Sequence, residues 1–239
     1  MGMEQKLEFV NEKFLNAFHQ FGHSPKSLLW KTDRQNMRFY ELLKYFQIRD
    51  DSTILDVGCG FADLYKFCTK HLGVKPQYTG IDYCSEFIKT LKEEPKANCI
   101  FIEGNFLTVP DLPNCDFCVA SGVFNGFNYS DYSGDTDDEF LRSVVNKMFQ
   151  LCKIGISFNF VTDKVDFKKA EMTYYSAARI LDFCYSMSRN IVFDNTCMPF
   201  EATVTVFKDD SFNETRVFNS FMRNHAPSVE NGLLSGEFE

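Results

Sequence analysis

Residues 53–63, with the sequence Thr-Ile-Leu-Asp-Val-Gly-Cys-Gly-Phe-Ala-Asp, constrain the fold more than any other stretch of the chain. A short apolar, β-branched run meets a glycine turn here, and a helical pattern follows at once. Residues 53–57 are therefore predicted to be a buried strand that leads into a helix beginning near Phe61. Gly58 and Gly60 allow backbone angles, and a close approach of a ligand, that a β-carbon would block. The stretch predicts a ligand-binding turn at the end of a buried strand.

The same alternation of strands and helices continues along the chain. Further strands are predicted at residues 77–82, 99–103, 115–120 and 154–161, with helices at 61–71, from Ser85 to before Pro95, and at 135–152. Strand, helix, strand in this order demands a parallel sheet with right-handed crossovers. A helix at 174–187 and two strands at 190–195 and 202–208 complete the pattern, and two amphipathic helices, at 4–20 and 33–47, precede it.

Acidic residues decide which ligand the glycine turn suits. A dinucleotide fingerprint would place a third glycine where Asp63 stands, and both Asp63 and Asp56 would repel a pyrophosphate. Asp56 instead suits a ligand that carries an ammonium group, as S-adenosylmethionine does. Asp82 ends the second strand 24 residues after Gly58, where a carboxylate can accept hydrogen bonds from both ribose hydroxyls.

The motifs Asp-x-Gly-x-Gly, Gly-Ile-Asp and Gly-Asn-Phe, each at a strand end and in this order, resemble the class I S-adenosylmethionine-dependent methyltransferases over residues 54–208. The resemblance implies an α/β fold with a Rossmann-like seven-stranded sheet, mostly parallel with the last strand antiparallel, flanked by helices. It also implies an N-terminal helical lid (1–50), a methyltransferase domain (51–208) and a C-terminal extension (209–239). The implied cofactor is S-adenosylmethionine and the product S-adenosylhomocysteine. Ala62 and Asn105 replace a common glycine and aspartate, and neither change argues against activity.

The resemblance also implies which residues contact the cofactor, at the strand ends and in the lid. These are Trp30, Arg38, Asp56, Gly58, Gly60, Asp82, Tyr83, Asn105, Phe106, Ser121 and Gly122. Asn105 and Phe106 lie where an adenine is expected. Arg38 suits the cofactor's carboxylate through a forked, charge-assisted contact. The alternatives are a solvated helix residue for Arg38 and a core residue for Trp30.

The acceptor site is expected near the loop after the fourth strand. Methyl transfer needs alignment of donor and acceptor, and a base only where the acceptor is a neutral hydroxyl. His23 is the first candidate for that base, with an exposed loop residue as the alternative, and an anionic acceptor would need none. The remaining candidates are Tyr129 and Tyr174, which would shape the pocket or orient a hydroxyl, and Phe124, Asn125 and Phe160, which would line the substrate.

Composition excludes several partners. The net charge of −8, without a cluster of basic residues, argues against nucleic acid. No apolar stretch reaches the length of a membrane span, so no membrane partner and a cytoplasmic location are expected. Nine cysteines, an odd number scattered along the chain, fit reduced thiols. Cys115 and Cys118 are predicted to pack in a strand and not to bind zinc, because a second pair is missing, and no metal is expected.

The predicted function is methyl transfer to an oxygen of a small polar metabolite. Ser-Gly-Val-Phe at residues 121–124 departs from the Asn/Asp-Pro-Pro-Tyr/Phe pattern of amide or amino-base methylation, and the chain has no Pro-Cys dipeptide for cytosine methylation. Analogy within the family points to surface-polysaccharide or natural-product biosynthesis. The alternatives are a small-molecule N-methyltransferase, a non-catalytic S-adenosylmethionine-binding regulatory subunit, and an oxidoreductase with a nucleotide cofactor.

Overall fold

A seven-stranded sheet organises the computed structural model, which describes residues 3–28, 34–125, 137–169 and 172–208. In chain order the elements are α1 (Met3–Phe21), α2 (Gln35–Leu43), β1 (Thr53–Val57), α3 (Asp63–Phe67), β2 (Gln77–Asp82), α4 (Ser85–Glu93), β3 (Cys99–Glu103), β4 (Cys115–Ala120), α5 (Asp137–Leu151), β5 (Cys152–Val161), α6 (Ala177–Tyr185), β6 (Ile191–Asp194) and β7 (Glu201–Phe207). A 3₁₀ turn, Pro25–Leu28, follows α1, and a π-helical turn, Cys68–Leu72, extends α3.

The strand order is β3-β2-β1-β4-β5-β7-β6, which places the first strand in the middle of the sheet. Strands β1 to β5 pair in parallel, whereas β7 runs antiparallel to both β5 and β6. The predicted fold class is confirmed, including the mainly parallel sheet and the reversed last strand. The order reverses between β1 and β4, and ligands of open α/β sheets bind at the carboxyl edge of such a point.

Both faces of the sheet are covered by helices. Along β1, Leu55 and Val57 pack into a core that contains α5 and α6 residues, whereas Ile54 belongs to the core formed with α2, α3 and α4. A central parallel strand that is buried on both faces has a continuous apolar sequence, which is why residues 54–57 are apolar except for Asp56. That exception becomes important at the candidate site.

The ends of several helices differ from their predicted positions by a few residues. The helix predicted at 174–187 begins at Ala177 and ends at Tyr185, because residues before it form an isolated bridge between Thr162 and Tyr175. The helix after the glycine turn, predicted to end at residue 71, ends at Leu72 and is capped by Gly73, whose φ is +72° and whose N–H donates to the carbonyl oxygen of Cys68. Among the described residues, no helix combines the length and apolar character needed to cross a bilayer.

Candidate functional site

The glycine turn after β1 is so tight that two of its positions favour glycine strongly. Gly58 has a φ of +71° and Gly60 a φ of +52°, both in the left-handed region. A β-carbon at Gly58 would lie 2.7 Å from Cγ2 of Val123, and one at Gly60 would lie 2.9 Å from Cδ2 of Leu28. The N–H of Gly58 donates to the carbonyl oxygen of Ile81 at 2.8 Å, which ties the turn to β2. Because Gly58 is exposed, a ligand can approach the backbone of this turn.

Asp82, the last residue of β2, is held in one orientation by backbone donors. Its Oδ2 accepts the N–H of Gly60 at 2.8 Å, and its Oδ1 accepts the N–H of Cys84 at 2.9 Å. Burial raises the pKa of Asp82, although hydrogen bonds from the backbone of Cys84, Gly60 and Tyr83 oppose the rise. Each carboxylate oxygen can accept more than one hydrogen bond, so this carboxylate keeps capacity for a ligand.

A cavity of about 160 Å³ lies above the carboxyl ends of the central strands. The sequence-predicted residues that line it are Gly58, Gly60, Asp82, Tyr83, Asn105, Phe106, Ser121 and Gly122. These residues follow four different strands, β1 to β4, and they meet because the carboxyl ends of parallel strands share one edge. The structure thus brings eight of the eleven predicted cofactor contacts to a single cavity.

Helices close this cavity from above and from the side. Leu7, Val10, Asn11 and Phe14 of α1 line it, as do Leu28 of the 3₁₀ turn and Phe140 and Val144 of α5. The α1 positions are spaced as one face of a helix, so α1 lies across the cavity with its apolar stripe inward. A mostly apolar cover of this kind excludes water from whatever the cavity binds.

Comparison with known proteins agrees with this arrangement. Residues 54–153 match the profile of a family described as a methyltransferase domain. A demethylmenaquinone methyltransferase from Listeria welshimeri is 26% identical over 119 residues, which are 48% of this chain and 46% of that protein. The chain therefore spans about half the length of the curated relatives it matches.

Solved structures support the same fold for the larger part of the chain. Magnesium protoporphyrin IX methyltransferase from Synechocystis PCC 6803 with bound S-adenosylhomocysteine gives a TM-score of 0.58 at 9% identity, covering 84% of this chain and 97% of that one. Human N-acetylserotonin methyltransferase with S-adenosylmethionine gives 0.54 at 15% identity, covering 86% and 67%. These identities establish the fold alone. The resemblance to class I methyltransferases is confirmed.

Asp56 does not line the cavity, contrary to its predicted place beside the cofactor. It alternates with Leu55 and Val57 on β1, so its side chain lies on the opposite face of the sheet, where Oδ2 accepts a hydrogen bond from the hydroxyl of Tyr78. Its Oδ1 has no hydrogen-bond partner among the described residues. Burial raises the pKa of Asp56 to about 7, and the bond from Tyr78 opposes the rise.

Arg38 also lies away from the cavity. Its guanidinium binds Glu201 of β7, with Nε 2.7 Å and 2.9 Å from the two carboxylate oxygens and Nη2 2.8 Å from Oε2. Glu201 also accepts a hydrogen bond from Nδ2 of Asn159, whose Oδ1 accepts the N–H of Gly122 at 2.7 Å. Arg38 thus joins α2 to the cavity wall through a chain of hydrogen bonds, and its fork is engaged by a carboxylate of the protein itself.

Of the three predicted catalytic residues, the structure describes His23 and Tyr174, and neither lies at the cavity. The exposed ring of His23 packs 4.4 Å from the ring of Phe61, and His23 is not a lining residue. The hydroxyl of Tyr174 accepts the N–H of Lys169 at 2.8 Å, also outside the cavity. Tyr129, like the predicted cofactor contact Trp30, lies outside the described residues.

The residues predicted to line an acceptor do not line the cavity and make other contacts. Phe124 and Phe160 are completely buried in the core that contains α5 and α6, because the chain turns inward immediately after β4. Oδ1 of Asn125 accepts the N–H of Val161 at 3.0 Å and so pins the β4 loop to the end of β5. The neighbouring Val123, like Ser121, is a residue of the β4 loop that lines the cavity.

The sequence predicted an N-terminal helical lid, but sequence reasoning did not identify the residues of α1 and α5 that line the cavity. For α5 the sequence carries no signal, since Phe140 and Val144 look like any other core residues of an amphipathic helix. For α1 a signal existed: Asn11 interrupts the apolar stripe formed by Leu7, Val10 and Phe14. A polar residue on an otherwise apolar helix face often has a specific partner.

No cluster of three or more His, Cys, Asp or Glu side chains within the described ranges is placed to hold a metal ion. All nine cysteines are unpaired, and Cys115 and Cys118 are buried in β4, as predicted. Burial raises the pKa of Cys118 well above the usual range of a thiol. A neutral, buried thiol behaves as a small apolar side chain.

Proposed function

We propose that this protein transfers a methyl group from S-adenosylmethionine to an oxygen of a small molecule. The observation that carries the proposal is the convergence of the glycine turn, Asp82, the Asn105-Phe106 pair and Ser121 on one mostly apolar cavity at the carboxyl edge of the sheet. The demethylmenaquinone, magnesium protoporphyrin and N-acetylserotonin methyltransferases named above support a small organic acceptor.

The lining residues fit the parts of this cofactor. Asp82, fixed by the N–H groups of Gly60 and Cys84, has acceptor capacity left for the ribose hydroxyls. Oδ1 of Asn105 accepts the N–H of Leu107 at 2.9 Å, which holds the amide rigid beside the ring of Phe106, where an adenine would stack. The exposed backbone of Gly58 leaves room for the amino-acid end.

The bound cofactor supplies an electrophilic methyl group on a sulfonium, and the chain's own residues align and shield it. Leu7, Val10 and Phe140 keep water away from the reacting groups. Alignment alone can lower a displacement barrier substantially, because orientation replaces a costly encounter of two molecules.

The described lining contains no histidine, and His23 and Tyr174 lie outside it. We therefore favour an acceptor oxygen that is already ionised, such as a carboxylate, which needs no base. Surface-polysaccharide or natural-product biosynthesis remains the expected setting, and the nine unpaired cysteines support a reducing, cytoplasmic one. The alternative functions are N-methylation and cofactor binding without catalysis.

Calorimetry with S-adenosylhomocysteine tests the cofactor. We expect Asp82→Asn to weaken its binding by about 10- to 100-fold, because charge-assisted bonds to the ribose are lost. Asp116→Asn is the matched control, since this carboxylate also accepts a backbone N–H, that of Thr53 at 2.8 Å, but at the opposite edge of the sheet. The control should bind as the wild type does, and equal affinity in all three proteins would contradict the assignment of Asp82.

Turnover separates an enzyme from a binding subunit. Release of S-adenosylhomocysteine on addition of small-molecule extract fractions supports catalysis, whereas binding without release on any fraction favours the regulatory subunit. Mild base then tests whether the acceptor is a carboxylate, because a methyl ester is cleaved whereas a methyl ether or an N-methyl group is not.

A further inference from the structure

Helix α1 contributes one polar side chain to an otherwise apolar wall of the cavity. Leu7, Val10, Asn11 and Phe14 form the face of α1 that lines it, and Asn11 stands in the middle of that face. The outer face of the same helix carries Asn16, which is exposed to solvent. The chain therefore places two asparagines on one helix, one facing the cavity and one facing water.

The amide of Asn11 is incompletely satisfied. Its Oδ1 is buried and has no hydrogen-bond partner among the described residues. The same is true of one other lining residue, Ser121, whose Oγ is buried and unpartnered where β4 ends. Buried polar atoms are nearly always hydrogen-bonded in folded proteins, because leaving them unpaired is costly. Two such atoms in one cavity indicate that a bound molecule supplies their partners.

The position of α1 shows which part of a ligand Asn11 meets. One turn later, Phe14 packs edge-on against Phe87 of α4, with ring centroids 6.0 Å apart, and Phe87 follows Asp82 by five residues. One turn earlier, Leu7 lines the same cavity as Phe106, the residue expected beside the adenine. The contact of Phe14 with Phe87 places this part of α1 on the side of the cavity where β2 leads into α4.

We propose that the Asn11 amide hydrogen-bonds the nucleoside half of the cofactor, so that α1 is part of the binding site and not only a cover. This inference rests on the proposed function, which puts the ribose at Asp82 and the adenine at Phe106. Oδ1 accepts from a hydroxyl or amino group of the nucleoside, on the side opposite the sheet. A ligand held in this way lies between the strand ends and α1.

The test compares Asn11→Leu with Asn16→Leu, the same substitution on the two faces of α1. The probes are S-adenosylhomocysteine and 5′-methylthioadenosine, which keeps the nucleoside and lacks the amino-acid end. We expect Asn11→Leu to weaken both probes by the same factor of about 5 to 10, the usual effect of one lost hydrogen bond. Asn16→Leu should bind both as the wild type does. The melting temperature of unliganded Asn11→Leu should not fall, since an unpaired polar atom is replaced by an apolar side chain.

Each other outcome overturns a defined part of the reasoning. Unchanged affinity in Asn11→Leu overturns the role of Asn11, and a loss confined to S-adenosylhomocysteine assigns the contact to the amino-acid end and overturns it too. If the wild type binds neither probe, the proposed function fails together with this inference. Should Asn11→Leu not fold, Asn11→Ala carries the same comparison. As a second readout, 5′-methylthioadenosine should slow amide hydrogen exchange in residues 7–14 of the wild type, and unaltered exchange contradicts the contact.

Discussion

Gly58→Ala tests whether the glycine turn is set by backbone conformation or by contact with the β4 loop. The chain offers a matched position, because Gly58 and Gly73 have almost the same φ, +71° and +72°. They differ only in surroundings: a β-carbon at Gly58 meets Cγ2 of Val123 at 2.7 Å, whereas one at Gly73 meets nothing within 4 Å. The pair separates left-handed strain from steric conflict.

The expected magnitudes follow from these distances. An L-residue in the left-handed region costs about 1–2 kcal/mol, so Gly73→Ala should lower the free energy of unfolding by about that amount. Gly58→Ala carries the same cost and adds overpacking, typically about 1–3 kcal/mol. The next Val123 atom after Cγ2 is Cβ at 4.0 Å, an ordinary contact. Val123→Ala should therefore remove the added cost and leave only the strain.

Urea unfolding followed by circular dichroism measures all the variants. We expect Gly58→Ala and Val123→Ala to be non-additive by about 1–3 kcal/mol, with the double variant more stable than the sum of the single effects predicts. Gly73→Ala combined with Val123→Ala should be additive. If the Gly58 pair is also additive, or if Gly58→Ala costs no more than Gly73→Ala, the steric argument is refuted.

Two further predictions concern polar atoms buried in and below the site. Burial raises the pKa of Asp56 to about 7, above its value of about 3.9 in an unfolded chain. The folded state then holds a proton that the unfolded chain has lost, so stability should fall as pH rises from about 4 to 7. Asp56→Asn should reduce that fall, measured as free energies of unfolding at several pH values, and an unchanged pH profile contradicts the shift. Ser121→Ala should leave the unliganded protein equally stable or about 1 kcal/mol more stable, because an unpaired hydroxyl is removed. The same variant should bind S-adenosylhomocysteine more weakly, and a stability loss without an affinity loss would show that Ser121 has a structural role instead.

The sequence by itself determined the sheet and the residues at its carboxyl edge. Gly58, Asp82, Asn105 and Ser121 each follow a strand whose apolar pattern is local, and parallel strands bring their ends to one edge whatever the details of packing. Topology alone therefore assembles this part of the site. The apolar stripe on α1 also predicts that this helix packs against an apolar surface, as a lid would.

Only the tertiary structure decided where side chains beside those ends point and which distant residues they meet. The pleat turns Asp56 to the opposite face, towards Tyr78, although it is two residues from Gly58. Arg38 meets Glu201, 163 residues away, so no local pattern could reveal that its fork is already engaged. Asn11 faces the cavity because α1 packs across the strand ends, a placement fixed by contacts such as that of Phe14 with Phe87. The positions of the strand ends follow from short-range sequence patterns. The direction of each side chain, its partner and the helix that covers it depend on long-range packing, which exists only in the folded chain.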